Sequence, residues 1–177
     1  MPTATTTSQE TQSRLREFFI EQLQDIYWAE QKLVKTLPKM ANAAHLAELR
    51  EAFNNHLEET RNHVTRIEQA FKMINETADT QECQAMKGII KEGEDIIDET
   101  EDETAQRDVG LIFAGQKAEH YEIATYGGLI QLAKTMGNTD VAALLQQTLV
   151  EEKAADQKLT EIAETNSNEA ALREKVD

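Results

Sequence analysis

Four glutamates occupy positions where an amphipathic helix would normally present an apolar side chain to a core. They are Glu30, Glu59, Glu122 and Glu152, and each lies on or beside the apolar stripe of a different predicted helix. The intervals within the two pairs are nearly equal, at 29 and 30 residues. Because an unpaired carboxylate inside a bundle costs several kcal/mol, such groups become protonated, form ion pairs or bind cations. One such acid on each of four helices predicts a shared metal site.

Further oxygen and nitrogen donors lie within one or two helical turns of these glutamates. Glu119 and Asp156 form a predicted second layer, because they stand 18 and 19 residues from the turn at Gly137. His56 and His63 follow one edge of the second helix's stripe, so either imidazole could join the carboxylates. Carboxylates with one or two imidazoles suit two iron or manganese ions at the centre of a bundle. We therefore predict the metal ligands Glu30, Glu59, His56, His63, Glu119, Glu122, Glu152 and Asp156.

Depth along the predicted helices supports this grouping. A helix rises about 1.5 Å per residue, so residues equally far from a turn lie at one level of a hairpin. Glu30 and Glu59 are about equally far from a first turn near residues 44–45. Glu122 and Glu152 are each 15 residues from Gly137. Straight helices would therefore bring each pair face to face.

The helices that must position these groups follow from apolar periodicity. The spacing predicts four long helices, over residues 13–37, 46–74, 103–136 and 140–163, and a shorter one within 80–100. Pro38 is expected to kink or end the first helix. Gly137 and Asn138 form a helix stop before the last one.

The order of these elements predicts the fold. An up–down pair, a long crossover and a second up–down pair is the arrangement of an all-α, ferritin-like four-helix bundle with an extra short helix in the crossover. We place this bundle at residues 14–165, between flexible tails at residues 1–13 and 166–177.

Composition limits the environment and the partners. A chain of 177 residues with 40% hydrophobic side chains can bury one core. The net charge of −15 argues against nucleic acid or an anionic membrane as a direct partner. The single cysteine, Cys83, favours a reducing compartment and excludes a rubredoxin-like iron centre within this sequence. With no signal-peptide-like start and no long apolar stretch, we expect a cytoplasmic protein.

Three sequence runs resemble a known family. AEHYEIATYGGL (118–129), HLEET (56–60) and LVEEKAADQKL (149–159) together resemble the YciE/YciF-type bacterial stress proteins, which are ferritin-like bundles. The resemblance extends over about residues 14–165. Glu119 and Glu122, followed by Tyr126, also resemble the third helix of rubrerythrins, where two such carboxylates belong to a di-iron site. The resemblance therefore implies a di-metal carboxylate centre.

The sequence departs from the ferritin and rubrerythrin pattern at two places. Those proteins carry Glu-x-x-His on the second helix, whereas here Asn62 follows Glu59 at that spacing and His63 comes one residue later. On the fourth helix Asp156, rather than a histidine, lies one turn after Glu152. Residues four apart still share a helix face, so an oxygen-rich site can form. Manganese or weakly held iron would suit such a site.

Two functions remain open at this stage. The first is a di-metal protein of the stress response, ferroxidase-like or peroxidase-like, that forms a homodimer and depends on a separate electron donor. The alternative is a non-enzymatic, dimeric helical stress or interaction protein with a residual or structural metal site. Tyr27 and Tyr126 could orient the carboxylates in either case.

Overall fold

The structure, a computed structural model, describes residues 13–175 and is helical with no β-strand in that range. The predicted all-α class is therefore confirmed. The predicted N-terminal tail lies, except for its last residue, outside the described residues. The helices are α1 (Arg14–Ala43), α2 (Ala47–Met73), α3 (Gln84–Glu99), α4 (Ala105–Thr135), α5 (Thr139–Ile162) and α6 (Asn168–Arg173), with one π-helical turn (Ala163–Ser167) between α5 and α6.

The four long helices form the predicted pair of antiparallel hairpins. α1 packs against α2, α4 packs against α5, and the two hairpins meet through α2 against α5 and α1 against α4. The short helix α3 lies in the crossover and packs mainly on α4. No helix among residues 13–175 is long and apolar enough to cross a membrane.

Local sequence signals explain where the hairpins turn. Gly137 adopts a φ of +78°, a left-handed conformation that favours glycine and ends α4 as predicted. The α1–α2 turn is held differently, because Asp108 of α4 accepts hydrogen bonds from the backbone N–H groups of His45 (2.7 Å) and Leu46 (2.8 Å). The buried carboxylate of Asp108, which belongs to the second hairpin, thus caps the start of α2 in the first hairpin.

We expected Pro38 to kink or end the first helix, and the structure shows that it does not end it. α1 continues for five residues beyond Pro38, to Ala43. A proline removes one intrahelical hydrogen bond, but the turn that follows buries Met40 and Ala41 in the core. Tertiary burial of that last turn therefore outweighs the local cost of the proline.

The described part of the flexible tail that we predicted at residues 166–177 differs from that prediction, whereas residues 176 and 177 lie outside the described residues. Its residues 168–173 form α6, and Glu174 accepts hydrogen bonds from the backbone N–H groups of Ala105 (2.6 Å) and Gln106 (2.9 Å). A carboxylate at the positive N-terminal end of α4 satisfies donors that the helix itself leaves open. This contact holds the segment against the bundle.

Apolar layers enclose a polar centre within the bundle. On α1, Leu23 and Ile26 lie on one side of the buried Glu30 and Leu33 lies on the other. The same alternation occurs on α2, where the buried apolar residues at both ends flank a polar middle section. The polar side chains of that middle section define the candidate site.

Candidate metal centre

Four carboxylates and two imidazoles converge at the centre of the bundle. All six side chains are buried, and each of the four long helices contributes at least one of them. We call this group the central cluster, and its members are Glu30, His56, His63, Glu119, Glu122 and Glu152. They form two overlapping groups whose ligand atoms lie within 4.8 Å of one another.

Helix α2 supplies both histidines because of its register. Its buried residues recur every three or four positions, which places them on one face. His56, Thr60 and His63 are the middle of that face. The Thr60 hydroxyl donates its hydrogen bond to the His56 backbone carbonyl at 2.7 Å and so does not donate to a carboxylate of the cluster. The two rings are 6.1 Å apart between centroids, so both imidazoles can reach the same cluster.

The first group, which we call the His63 half, contains Glu30, His63 and Glu152. Nδ1 of His63 lies 2.9 Å from Oε1 of Glu152 and 3.5 Å from Oε1 of Glu30. All three side chains have no exposed surface. One nitrogen and two carboxylates therefore surround a single interior point.

The second group, which we call the His56 half, contains His56, Glu119, Glu122 and Glu152. Nε2 of His56 lies 3.2 Å from Oε1 of Glu119 and 3.6 Å from Oε2 of Glu152. Glu152 belongs to both groups, with one oxygen near each histidine. A carboxylate placed between two donor sets in this way could bridge two metal ions.

The outer nitrogen of each histidine contacts another carboxylate. Nε2 of His63 is 2.8 Å from Oε2 of Glu151, and Nδ1 of His56 is 3.2 Å from Oε2 of Glu59. An ionised carboxylate only accepts hydrogen bonds, so these contacts assign a proton to each outer nitrogen. The inner nitrogen of each ring is then the one that can bind a metal. Carboxylates that orient metal-binding histidines act in this way.

The outer carboxylates differ in how firmly they are held. Arg66 donates to both oxygens of Glu151, and its Nη2 is 2.9 Å from Oε1. This pairing lowers the pKa of Glu151, which keeps the carboxylate ionised beside His63. The side chain of Glu59 forms no ion pair with an arginine or lysine of the described residues, and it is 45% exposed. The His63 half is thus closed by an ion pair, whereas the His56 half ends near the surface.

Seven buried polar atoms of the cluster have no hydrogen-bond partner. They are both oxygens of Glu122 and of Glu152, Oε2 of Glu30, Oε2 of Glu119 and Nδ1 of His63. The short contact between His63 and Glu152 lacks the alignment of a hydrogen bond, so it leaves both atoms unsatisfied. Buried polar groups almost always have partners, and an orphaned group costs about 1–3 kcal/mol. Unsatisfied donor atoms that converge from four helices fit divalent cations well.

The charges of the cluster perturb one another strongly. Burial, followed by repulsion from Glu152, raises the pKa of Glu119 and of Glu122 well above the ordinary value. Burial lowers the pKa of His63, but contacts with Glu152 and Glu30 outweigh it and raise that pKa to about 11. Without a cation, protons must therefore neutralise this group of acids.

The two tyrosines singled out from the sequence have different roles. Tyr126 is buried and donates its hydroxyl hydrogen to Oε1 of Glu30, so it fixes that carboxylate. Burial and the nearby Glu30 raise the pKa of Tyr126, which keeps the hydroxyl protonated as a donor. Tyr27 instead donates to Glu68 at 2.8 Å and contacts no member of the cluster through its hydroxyl.

Two of the eight predicted ligands lie outside the central cluster. Glu59 does not face Glu30, because the register of α2 directs His63 to that position and Glu59 to the flank. Asp156 is 23% exposed; it accepts a hydrogen bond from Gln116 (3.2 Å) and lies 3.3 Å from His120. The other six predicted ligands come together.

Glu151 and Arg66 were not among the site residues predicted from the sequence. Both lie on polar flanks of their helices, and they are 85 residues apart in the chain. Their contact depends on how α2 packs against α5, which no local pattern encodes. The one available signal was that Glu151 is a charged residue directly next to the predicted ligand Glu152 in the sequence.

The side chains of the central cluster are of the same types as the metal ligands of ferritin-like di-metal proteins. Those bundles use four glutamates and two histidines, with one Glu-x-x-His pair on each of two helices. The central cluster also has four glutamates and two histidines, but here both histidines come from α2. Their spacing of seven residues is about two helical turns, so both histidines lie on the same face of α2.

Comparisons with known proteins agree with this architecture. A family model described as a domain of unknown function (DUF892) matches residues 14–172. Protein YciF of Escherichia coli K12 is 44% identical over 158 residues, which are 89% of this chain and 95% of that protein.

Solved structures show the same fold. The E. coli stress protein YciF superposes with a TM-score of 0.84 at 43% identity, covering 89% of this chain and 99% of that one. The protein YcfI of Rhodopseudomonas palustris gives 0.80 at 37% identity, covering 86% and 96% of the two chains. A protein of Xanthomonas campestris gives 0.67 at 24% identity, which bears on the fold alone.

Proposed function

The chain belongs to the DUF892 family and to the YciF-type stress proteins, and from that premise we propose that its central cluster is a di-metal centre of iron or manganese. The centre would act in the stress response by reacting with dioxygen or a peroxide. The observation that carries this proposal is the convergence of six unsatisfied buried carboxylate oxygens with the inner nitrogens of two oriented histidines. A plain ion-pair network would leave those atoms unpaired.

Each half of the cluster would hold one ion. His63 and Glu30 would bind the first, His56, Glu119 and Glu122 would bind the second, and Glu152 would contribute to both. Two divalent ions carry four positive charges, which balance the four carboxylates when both imidazoles are neutral. Metal binding would thus replace the protons that the metal-free cluster needs.

The protein's own contribution is orientation and exclusion of water. When bound, a pair of ferrous or manganous ions would supply electrons to an oxidant. Glu151 and Glu59 keep the histidines in the tautomer that binds metal, and Tyr126 fixes Glu30. Around the His63 half, whose three side chains have no exposed surface, the apolar layers limit access by bulk water.

The wider setting of this activity is also part of the proposal. We place the protein in the cytoplasm and propose that it acts as a homodimer. A separate reductase would be its electron donor, because the only cysteine of this sequence cannot build a redox centre of its own. The net charge of −15 disfavours nucleic acid and anionic membranes as direct partners.

An oxidation experiment separates the two functions that the sequence left open. The ferrous-loaded protein is mixed with hydrogen peroxide, or with dioxygen, and followed by optical absorbance and electron spin resonance. We expect oxidation well above the rate of free ferrous ion in the same buffer. Metal-loaded protein that does not accelerate oxidation would instead support a non-enzymatic protein with a structural metal site.

A further inference from the structure

A surface cleft connects the His56 half of the central cluster to solvent. The cleft has a volume of about 320 Å³ and lies between α2 and α5. His56 and Glu119 line it, and so does Glu59. Phe53, Ala155 and Leu159 supply apolar walls. Two members of the cluster thus form part of the surface of a cleft that reaches the outside.

The charges along this cleft favour cations. Glu48, Glu51 and Glu59 line it as acids, and Lys158 is the one basic residue of its lining. Lys158 is already paired with Glu48 at 2.6 Å, so the remaining acids give the cleft a net negative charge. A cleft lined by one sign of charge with apolar walls concentrates counter-ions and speeds their arrival.

One oxygen atom of a residue that lines the cleft is buried and has no hydrogen-bond partner, which points to a bound ligand rather than to solvent alone. Oε2 of Glu119 is buried and has no hydrogen-bond partner, while Oε1 of the same residue is 3.2 Å from Nε2 of His56. On the other side of the His56 ring, Nδ1 contacts Glu59, whose side chain is 45% exposed. The carboxylates of Glu59 and Glu119 therefore stand on either side of one imidazole, one accessible and one buried.

A second hollow differs from the cleft in the charge of its lining. It lies between α1 and α2, measures about 240 Å³, and contacts no member of the central cluster. Its lining contains Lys35 and Arg61 and no acid. A cation would not be drawn there. At the His63 half, the ion pair of Glu151 with Arg66 stands between the ring and the surface.

We infer that the cleft between α2 and α5 is the path by which divalent cations reach the centre, with Glu59 as the carboxylate that receives them and passes them to His56 and Glu119. This inference rests on the proposed di-metal function. It adds that the His56 half is filled from the cleft and that the ion in the His63 half arrives through the His56 half.

The test measures how fast the full chain takes up Co²⁺, whose visible absorbance changes when it is bound. Ala155 on the wall of the cleft is replaced by phenylalanine, and the matched control is Ala143→Phe at an exposed position of the same helix. We expect Ala155→Phe to slow uptake strongly while the final number of bound Co²⁺ ions stays that of the parent. Ala143→Phe should bind at the parent rate.

A second variant tests the charge of the path without filling it. Glu59→Gln keeps an oxygen that can accept from Nδ1 of His56 but removes the negative charge. We expect its uptake rate to fall by about tenfold at low salt, the lower end of the enhancement that charge-lined clefts produce. The salt dependence of uptake should weaken in the same variant.

The outcomes distinguish this inference from the proposed function. A parent protein that binds no Co²⁺ at equilibrium would overturn both. Parent-like uptake by a fully loading Ala155→Phe variant would overturn only the path. If Ala155→Phe does not fold or load, Ala52→Phe, also in the cleft lining, replaces it. If neither loads, Glu59→Gln decides, and an unchanged rate there overturns the path.

Discussion

The two halves of the central cluster contain the same kinds of ligand but differ in what surrounds each histidine. In the His63 half, the outer carboxylate is Glu151, which Arg66 binds through both of its oxygens. In the His56 half, the outer carboxylate is Glu59, whose side chain is 45% exposed and stands at the cleft. Tyr126 fixes Glu30 in the first half, whereas both oxygens of Glu122 in the second lack a partner.

This difference indicates that the two halves of the site have different roles, one in holding an ion and the other in exchanging it. Side chains whose positions are fixed by further hydrogen bonds hold a metal in one geometry and bind it tightly. Carboxylates without such partners can move when an ion or an oxidant arrives. We expect the His63 half to retain its ion and the His56 half to exchange its ion and to meet the reactant.

The largest expected effect comes from removing each histidine in turn. His63→Ala should leave about one ion per chain that a chelator removes quickly, because only the open half remains. His56→Ala should leave about one ion that a chelator removes slowly. Elemental analysis before and after brief chelation measures both. Equal removal from the two variants would show that the halves do not differ.

A smaller effect is expected from the residues behind the histidines. Arg66→Gln frees Glu151, so the affinity of the slowly exchanging ion should fall by about 10- to 100-fold, as it does when such outer partners are lost. Glu59→Gln should change equilibrium affinity much less, because the glutamine oxygen still accepts from His56. Competition with a coloured chelator gives both affinities.

The control for this pair is Arg61→Gln on the same helix. Arg61 is exposed and, within residues 13–175, forms an ion pair only with Glu58, so its loss should leave both affinities unchanged. If Arg61→Gln weakened binding as much as Arg66→Gln, the effect would reflect surface charge rather than the orientation of His63.

The last expected effect concerns the stability of the metal-free protein. Glu122→Leu replaces a buried carboxylate whose oxygens have no partner, so it should raise the free energy of unfolding by about 1–3 kcal/mol. Glu30→Leu should give less, because it leaves the Tyr126 hydroxyl without its acceptor. Urea unfolding in the presence of a chelator compares the two. A loss of stability in Glu122→Leu would mean that this carboxylate has a structural role.

Local patterns in the sequence carry most of the fold. Apolar spacing of three and four residues located the long helices, and the positive φ of Gly137 fits its use as a helix stop. Pro38 misled the prediction because burial of the turn that follows it is a tertiary effect. The same holds for Asp108 at the α1–α2 turn, whose role depends on contact between two hairpins.

The candidate site was predictable where it depends on one helix at a time. Glu30, Glu122 and Glu152 stand out as acids within apolar stripes. On α2 the prediction took Glu59 as the residue that faces Glu30. The spacing from Leu49 through His56 and His63 to Ile67 instead marks the buried face. The pairing of Glu151 with Arg66 depends on packing between helices, so no single stripe could reveal it.

The most direct test of the central claim is the metal content of the purified full chain after loading with ferrous or manganous ions. The matched variants are Glu152→Gln, which removes the shared ligand, and Glu161→Gln, which changes an exposed acid of the same helix. A di-metal centre predicts about two ions per chain in the parent and in Glu161→Gln, and nearly none in Glu152→Gln. Less than about a tenth of that content in the parent, or equal content in all three proteins, would contradict a metal centre at this cluster.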